Sequence, residues 1–387
     1  MIIINLDNLL TVRTISLKTI GFGTILYGID SILCTTGTEA VCVPRPVKNG
    51  YYHTTSKPWY SYYQERAMSV ELEIDHKIGH SSTPNCLHYH PNGENFIFCS
   101  GWNVGIGNLT DSHSQEFMRG HDDRVTCITL SPSGSLIASG QCGENSDVLV
   151  WSFEEKKVIY SFEEHDSGVK YFAFSHDEKL LVSIGDNNDG KLIIWDLSNG
   201  AIVAASPNLP EGTTCVCFGG FVKDIKRRNT DQYQICTGGA SGLHLWQLNP
   251  YSGELANVKI VGDARGTVSR YVNGVTFSVD EEFILATTSS GDYLVASVKA
   301  RHIVHVVPAA RKGLVPVVAL RDGHMVGGGD GTVTYFTNHH DKEAETVLDG
   351  PVVSLSLSTD KLEVCYCIVL LGRTGGGGVC VCRLSYM

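Results

Sequence analysis

Two stretches of this chain repeat each other at a spacing of 44 residues, and this repeat restricts the possible folds more than any other feature. His121 is followed 30 residues later by Trp151, and His165 is followed 30 residues later by Trp195. Between these markers, apolar runs alternate with clusters of turn residues at matching positions. Short apolar runs separated by turn residues predict β-strands rather than helices. The chain is therefore predicted to fold as a series of small repeated sheets.

Weaker copies of the pattern lie on both sides of these two. Most of them lack the tryptophan but keep the apolar run and a turn, and they include residues 86–93, 243–246, 274–281, 317–336 and 352–361. A period of about 40–45 residues with four short strands per copy is typical of WD-repeat β-propeller blades. One four-stranded sheet cannot bury both of its faces, whereas sheets arranged radially cover each other. We therefore predict an all-β fold, a seven-bladed WD40 β-propeller with an N-terminal extension.

The same pattern predicts the domain organisation. Residues 70–387 are assigned to the propeller, with about 45 residues for each of seven blades. We expect the ring to be closed by one blade that combines strands from both ends of the chain. The alternating residues 71–78 are predicted to complete the last blade in this way. Residues 1–69 do not follow the repeat and contain a cluster of aromatic residues at 51–63. They are predicted to be an N-terminal extension of uncertain structure.

The histidine and tryptophan markers are predicted to belong to buried hydrogen-bonded relays within the blades. Each relay would contain a histidine, a strand serine, a turn aspartate and the tryptophan: His121, Ser139, Asp147 and Trp151 in one copy, and His165, Ser183, Asp189 and Trp195 in the next. Catalytic triads use the same residue types, but here their spacing is the spacing of the repeat itself. We therefore interpret the relays as structural and predict no catalytic residue.

Charge and apolar content argue against several classes of protein. The chain has 30 Lys and Arg against 41 Asp and Glu, a formal net charge of −11, which argues against a general nucleic-acid-binding or basic membrane-surface protein. No apolar run of about 18 residues is free of charges and turn residues, so no membrane span is predicted. The start of the chain has no basic segment before its apolar residues, which predicts a cytoplasmic protein without a secretory signal. The 13 cysteines are accordingly interpreted as thiols.

A glycine-rich segment superficially resembles a nucleotide site. Residues 185–191 fit the first seven positions of a phosphate-binding loop, but the eighth is Leu192, which begins an apolar run that predicts a strand. A phosphate-binding loop needs a hydroxyl residue at that place and a helix after it. We interpret the segment as a turn between two blade strands. The sequence shows no hydrolase, metalloprotease or dinucleotide fingerprint, so no enzyme, cofactor or small-molecule substrate is predicted.

Cysteine and histidine clusters are the candidate metal ligands. Cys365, Cys367, Cys380 and Cys382 form two Cys-x-Cys pairs that a hairpin would bring together, as in a structural zinc site. The spacing within each pair is tighter than zinc sites normally use, and cysteine is readily buried in cores. Both interpretations stay open; packing thiols are favoured, and no metal ligand is assigned. Two small histidine clusters, at 86–90 and 339–341, are interpreted as satisfied or solvated histidines.

A basic loop is the candidate partner-binding segment. It contains Lys223, Lys226, Arg227 and Arg228, within an insertion between two predicted strands. On an acidic protein such a loop could bind an acidic partner surface. The alternative is a solvated loop without a partner.

Beyond the general repeat, the order of degenerate copies resembles a particular family. Residues 136–141 and 147–151, the matching residues 181–195, and the glycine-rich strand ends at 286–292 and 325–331 resemble the amino-terminal half of the cilia- and flagella-associated protein 52 family. The resemblance covers roughly residues 70–360. It implies a scaffold in the cytoskeleton of the ciliary or flagellar axoneme, inside the doublet microtubule at the inner junction, in contact with tubulin and other inner-junction proteins. That family has two tandem propellers, whereas this sequence has material for one.

A second hypothesis places the protein elsewhere in the cell. Many WD40 proteins are cytosolic adaptors that recruit peptides for ubiquitin transfer, trafficking or RNA processes. The charge and the repeats are compatible with both hypotheses, which share a non-catalytic protein-binding role.

Overall fold

The computed structural model describes residues 86–387, except residues 112, 225, 263–269, 349, 358–362, 372–376 and 386–387. All described residues belong to one of two compact units into which the chain divides. Within them the chain forms 27 β-strands and no α-helix, arranged in seven antiparallel sheets. The all-β prediction is therefore confirmed for this part of the chain. The predicted extension, residues 1–69, and the predicted closing strand, residues 71–78, lie outside the described residues.

The first four sheets each contain four strands in sequence order. Sheet 1 has β1 (Leu87–Tyr89), β2 (Asn95–Ser100), β3 (Asn103–Asn108) and β4 (Gln115–Arg119). Sheet 2 has β5 (Val125–Leu130), β6 (Leu136–Gln141), β7 (Ser146–Ser152) and β8 (Lys157–His165). Sheet 3 has β9 (Val169–Phe174), β10 (Leu180–Gly185), β11 (Leu192–Asp196) and β12 (Ile202–Ser206). Sheet 4 has β13 (Thr213–Lys223), β14 (Asn229–Gly239), β15 (Gly242–Asn249) and β16 (Glu254–Lys259).

The remaining strands form two further four-stranded sheets and one of three strands. Sheet 5 has β17 (Val272–Phe277), β18 (Phe283–Thr288), β19 (Asp292–Ser297) and β20 (His302–Pro308). Sheet 6 has β21 (Leu314–Ala319), β22 (Gly323–Gly328), β23 (Thr332–Thr337) and β24 (Lys342–Val347). Sheet 7 has β25 (Val352–Leu357), β26 (Glu363–Leu371) and β27 (Gly377–Ser385).

The first strands of successive sheets contact one another around a closed circle. Strand β1 contacts β5, and the same contact recurs from β5 to β9, β13, β17, β21 and β25. Strand β25 then contacts β1, where Ser354 Oγ donates to Leu87 O (3.0 Å) and Tyr89 N–H donates to Ser356 Oγ (2.9 Å). This is the arrangement of a β-propeller, with one sheet as each blade.

The expected count of seven complete blades needs correction. The described residues contain six complete four-stranded blades, and sheet 7 has three strands. Strand β27 is paired to β26, and no fourth strand for this sheet lies among the described residues. Dividing chain length by the repeat period counts copies of the pattern, but it does not show that every copy holds four paired strands.

The apolar core is divided into separate clusters that lie between neighbouring sheets. Trp151 packs in the cluster between sheets 1 and 2, Trp195 in the cluster between sheets 2 and 3, and Trp246 in the cluster between sheets 3 and 4. Sheets 2 and 3 therefore each bury their two faces against two different neighbours. At roughly 25 cal/mol per Å² of apolar surface buried, this mutual covering is the main stabilising contribution.

Side chains also cover the inner edges of the first strands, which face the central channel. A side chain of one first strand donates to a carbonyl of the next at several junctions: Thr126 to Val169, Thr214 to Val272, Asn273 to Leu314 and Ser354 to Leu87. Unpaired strand edges are otherwise templates for aggregation. Neighbouring blades are thus joined by hydrogen bonds as well as by packing.

Among the described residues, no helix is long and apolar enough to cross a membrane.

Candidate functional site

The predicted relay of sheet 3 is brought together by the fold. Trp195 Nε1–H donates to Ser183 Oγ (2.9 Å), and Ser183 Oγ lies 2.8 Å from His165 Nε2. His165 Nδ1 lies 2.7 Å from Asp189 Oδ2, and neither of these two side chains is exposed. Because a carboxylate only accepts, Nδ1 carries the proton and the Ser183 hydroxyl donates to Nε2. Each polar group of this relay, from the Trp195 indole to the Asp189 carboxylate, therefore has a hydrogen-bond partner.

The carboxylate of this relay is held in its charged form. Burial acts to raise the pKa of Asp189, but hydrogen bonds from His165 and from the backbone N–H groups of Asp166 and Lys191 outweigh it and lower the pKa below its ordinary value. The Asp166 N–H lies 2.8 Å from Asp189 Oδ1. Asp189 therefore holds the histidine ring, the connection between β8 and β9, and the turn between β10 and β11.

The relay of sheet 2 differs from the prediction at one position. His121, Ser139 and Trp151 are joined as predicted, with Ser139 Oγ 2.6 Å from His121 Nε2 and 2.7 Å from Trp151 Nε1. The partner of His121 Nδ1 is Gln141 Oε1, at 2.8 Å, instead of Asp147. The Gln141 amide nitrogen in turn donates to Asp122 Oδ1. The assignment of Asp147 to this relay was therefore wrong.

Gly185 explains why the two blades use different residues. Gly185 and Gln141 occupy matching places, each two residues after the relay serine on the second strand. A Cβ at Gly185 would lie 1.9 Å from Asp189 Oδ2, so the missing side chain leaves the space that the carboxylate fills. In sheet 2 the Gln141 side chain reaches the histidine from the strand itself. In both sheets a side-chain oxygen therefore bonds to the histidine Nδ1. It comes from the second strand in sheet 2 and from the turn after the second strand in sheet 3.

A third indole bond lies in sheet 4 and was not predicted. Trp246 Nε1–H donates to Thr237 Oγ1 (2.9 Å), and both residues are buried. Thr237 lies nine residues before Trp246, whereas the relay serines lie twelve residues before their tryptophans. The fixed spacing used to find the relays therefore missed it; a search for any hydroxyl residue on the preceding strand would have found it.

The relays also join neighbouring blades. His165 is the last residue of β8 in sheet 2, but its partners Ser183 and Asp189 belong to sheet 3. His121 likewise follows β4 of sheet 1 and bonds to Ser139 in sheet 2. The sequence repeat is therefore offset by one strand from the sheets, so each repeat spans a blade junction.

The segment that resembled a phosphate-binding loop is a turn. It follows β10, and strand β11 begins at Leu192, as the sequence predicted. Lys191 Nζ lies 2.7 Å from Asp166 Oδ2 and 3.8 Å from Asp189 Oδ1. The lysine therefore belongs to the charge network around the sheet 3 relay.

The two Cys-x-Cys pairs occupy opposite faces of sheet 7. In the β26–β27 register, Cys365 is opposite Arg383 and Cys367 is opposite Val381, whereas Cys380 and Cys382 are opposite Ile368 and Tyr366. Residues directly opposite each other in an antiparallel pair share a face, and neighbours along a strand alternate. The register therefore does not place the four positions on one face, which a common zinc site in the hairpin would require.

The histidines near the start of sheet 1 make structural bonds. His88 Nε2 lies 3.0 Å from Ile128 O, and His90 Nε2 lies 3.1 Å from Gly134 O. Both carbonyl groups belong to sheet 2, so these side chains join blades 1 and 2. Among the described residues, no group of three or more His, Cys, Asp or Glu is arranged to hold a metal ion.

The basic loop rests on the neighbouring blade instead of projecting freely. Lys223 Nζ lies 3.6 Å from Glu281 Oε2 and donates to Asp280 O, and Arg227 Nη1 lies 3.8 Å from Glu282 Oε1. These acidic residues form the β17–β18 turn of sheet 5. Arg228 pairs within the loop with Asp224 (2.9 Å). The loop therefore joins sheets 4 and 5, while the side chain of Arg227 is still 81% exposed and Lys226 is also exposed.

Comparisons with known proteins agree with this geometry. The family profile described as "WD domain, G-beta repeat" matches residues 112–152 and 156–196, which contain the two relays. The chain is 28% identical to "Cilia- and flagella-associated protein 52" of Chlamydomonas reinhardtii over 299 residues, 75% of this chain and 46% of that protein. It is 28% identical to the Homo sapiens protein of the same name over 302 residues, 75% of this chain and 47% of that protein.

A more distant similarity covers a smaller part of the chain. "WD repeat-containing protein 90" of Xenopus tropicalis is 26% identical over 136 residues, 35% of this chain and 7% of that protein. The chain spans about half the length of the cilia- and flagella-associated relatives that it matches. The chain folds as a β-propeller, two of its repeats match the WD domain profile, and about 75% of it is similar in sequence to cilia- and flagella-associated protein 52.

Proposed function

We propose that this protein is a non-catalytic scaffold of the ciliary or flagellar axoneme. The observation that carries the proposal is the similarity, over 75% of the chain, to proteins whose names associate them with cilia and flagella. A closed ring with separate cores between its blades suits a scaffold, because loops on a rigid frame can present several binding surfaces. Binding to other proteins of the cilium is the role that this architecture supports.

The finer parts of the proposal concern place and partners. We infer a position inside the doublet microtubule at the inner junction, with tubulin and other inner-junction proteins as partners. The domain limits belong to the same proposal: residues 70–387 form the propeller, sheet 7 is its seventh blade, and residues 1–69 are an extension.

The absence of a catalytic role is supported by the burial of the relay hydroxyl groups. Ser139 and Ser183 are both completely buried, and each accepts the N–H of a tryptophan. A nucleophile must reach its substrate, and these hydroxyl groups lie within the packed junctions between blades. We therefore propose that the relays stabilise the ring.

Fractionation of a flagellated cell tests the proposed location. A tagged full-length chain is expected in detergent-extracted axonemes and to remain there after a wash at about 0.6 M salt, because salt screens exposed ion pairs more than enclosed contacts. Tubulin should be recovered with it after chemical cross-linking. A protein found wholly in the cytosol, associated with ubiquitin-ligase, trafficking or RNA-processing subunits and without tubulin, would contradict the proposal and favour the adaptor hypothesis.

The basic loop is the proposed contact with an acidic partner. Its ion pairs with sheet 5 are exposed, and such pairs contribute roughly 0–1 kcal/mol each, so the loop can exchange them for a partner's carboxylates. We expect the double variant Lys226→Glu, Arg227→Glu to lower axonemal recovery at least about threefold with little loss of stability. The control is Lys299→Glu, Lys312→Glu, which makes the same change of charge at two other exposed positions. Equal recovery of both variants would remove the loop from the proposal.

A further inference from the structure

A buried histidine at the junction of sheets 5 and 6 has a polar atom without a partner. His324, near the start of β22, is 2% exposed, and its Nε2 makes no hydrogen bond. Its ring stacks on Phe336, with centroids 5.7 Å apart, and meets the edge of Tyr293 at 4.8 Å. These surroundings accept a neutral imidazole but offer the Nε2 of a charged ring no acceptor, and an unsatisfied buried donor is costly.

Two further histidines connect this buried site to the surface. His340, in the turn between β23 and β24, is half-buried and has its ring centroid 5.7 Å from that of His324. Tyr293 Oη lies within hydrogen-bonding distance of His340 Nδ1 (3.3 Å). His305, on β20 of sheet 5, is exposed and lies 5.3 Å from His340 between ring centroids. The three rings therefore form a continuous path from solvent to the blade junction.

The charged and titratable groups around this path give a proton little compensation. Sheet 5 contributes Tyr293 from β19 and His305 from β20; sheet 6 contributes His324 from β22 and, from the β23–β24 turn, His339, His340 and Asp341. Asp341 is the single carboxylate of this set and is exposed. Burial, and then the neighbouring His340, lowers the pKa of His324 to about 4. Burial, followed by His305 and His339, also lowers the pKa of His340, with Asp341 opposing.

We propose that the His305–His340–His324 cluster makes the junction between sheets 5 and 6 open at acid pH; this junction is called the seam below. Proton uptake places like charges on adjacent imidazoles with one exposed carboxylate to offset them, and the charged rings turn towards water. The outer strands of the two sheets then part, while the sheet 2–3 junction stays closed because its histidine already lies against Asp189. Above the ordinary histidine pKa of 6.5, His324 and His340 are neutral and the junction is closed. The release begins below that value and is complete as pH falls through the lowered pKa of His324.

Hydrogen exchange of the full-length chain tests the seam. Backbone exchange is measured at about pH 7.5 and about pH 5 and corrected for the intrinsic effect of pH. We expect peptides covering β19–β20 and β22–β24 to lose protection at least about fivefold at the lower pH, while peptides covering β10–β12 keep theirs. Unchanged protection at the seam, or an equal loss in both regions, would overturn the proposal.

Two variants separate the histidines from general acid effects. His340→Asn removes one imidazole at a residue with φ of 67°, a backbone conformation that asparagine adopts readily. His324→Leu removes the buried ring at similar volume. Each variant is expected to reduce the acid response of the seam peptides at least about threefold at unchanged protection near pH 7.5. If His324→Leu fails to fold, His340→Asn alone decides, and a full acid response in that variant contradicts the seam.

Discussion

Trp195→Ala is expected to lower the free energy of unfolding by about 4 kcal/mol, the middle of the range for removing a large buried aromatic side chain. The indole stacks on Phe162 with centroids 4.1 Å apart and fills the space between sheets 2 and 3. Its loss also leaves Ser183 Oγ without its donor. Urea unfolding followed by far-ultraviolet circular dichroism measures the change.

Two further substitutions separate packing from hydrogen bonding at this site. Trp195→Phe retains most of the ring volume but removes the N–H, so we expect a loss of about 2 kcal/mol. The control is Trp102→Ala, because Trp102 is 57% exposed in the turn between β2 and β3, and its effect should stay within about 0.5 kcal/mol. Similar losses for Trp195→Ala and Trp102→Ala would show that the junction between sheets 2 and 3 is not packed as described.

Asp189→Ala is the second substitution with a large expected effect, a loss of about 3 kcal/mol. Asp189 accepts hydrogen bonds from the buried His165 Nδ1–H and from the Asp166 N–H, and its removal leaves both donors without this acceptor. An unsatisfied buried donor costs about 1–3 kcal/mol, and the loss of a charged acceptor favours the upper end of that range. Asp147→Ala should change stability by at most about 0.5 kcal/mol, because Gln141 occupies the place once assigned to Asp147. A large loss at Asp147 would restore the original assignment.

A double substitution tests whether the two blades use interchangeable solutions. Gly185→Gln alone should destabilise the protein, because its Cβ would lie within 2.6 Å of three Asp189 atoms. Combined with Asp189→Gly, the same glutamine has room and can bond to His165 as Gln141 bonds to His121. We expect Gly185→Gln to stabilise the Asp189→Gly background by about 1 kcal/mol. If Gly185→Gln destabilises both backgrounds equally, the two side chains are not equivalent.

Acid should weaken the Asp189 contribution in a defined pH window. The folded-state pKa of Asp189 lies below its ordinary value of 3.8. A carboxyl group with a lowered folded pKa contributes stability above its ordinary pKa and loses it as pH falls through the folded value. The difference in unfolding free energy between the natural chain and Asp189→Ala should therefore be constant near neutral pH and shrink below about pH 4.

Local spacing allowed the strands and most of the relay to be predicted from the sequence. Apolar runs of the repeat form the strands β5 (Val125–Leu130), β9 (Val169–Phe174) and β25 (Val352–Leu357). Asp147 was misplaced because the second and third strands are joined by four residues in sheet 2 and by six in sheet 3. Asp147 is therefore the second residue of β7, whereas Asp189 lies in the turn before β11.

Contacts between distant segments could not be read from local spacing. The basic loop was recognised as a charged segment, but its acidic neighbours at 280–282 come more than 50 residues later and meet it only through the packing of two blades. The two Cys-x-Cys pairs were correctly placed in a hairpin, yet a one-residue difference in register decides which face each pair occupies. Tertiary packing and register supplied what the sequence pattern lacked.

The bond between Ser354 and Leu87 has a consequence for how the protein is made. It unites residues 267 positions apart, and a ribosome adding about 5–20 residues per second needs roughly 13–53 s to synthesise the intervening chain. During that interval the apolar face of sheet 1 that packs on sheet 7 stays exposed. The nascent chain is then an open, incomplete ring that is prone to aggregate and that chaperones would need to shield. Late truncations should consequently yield insoluble product even when every earlier blade is intact.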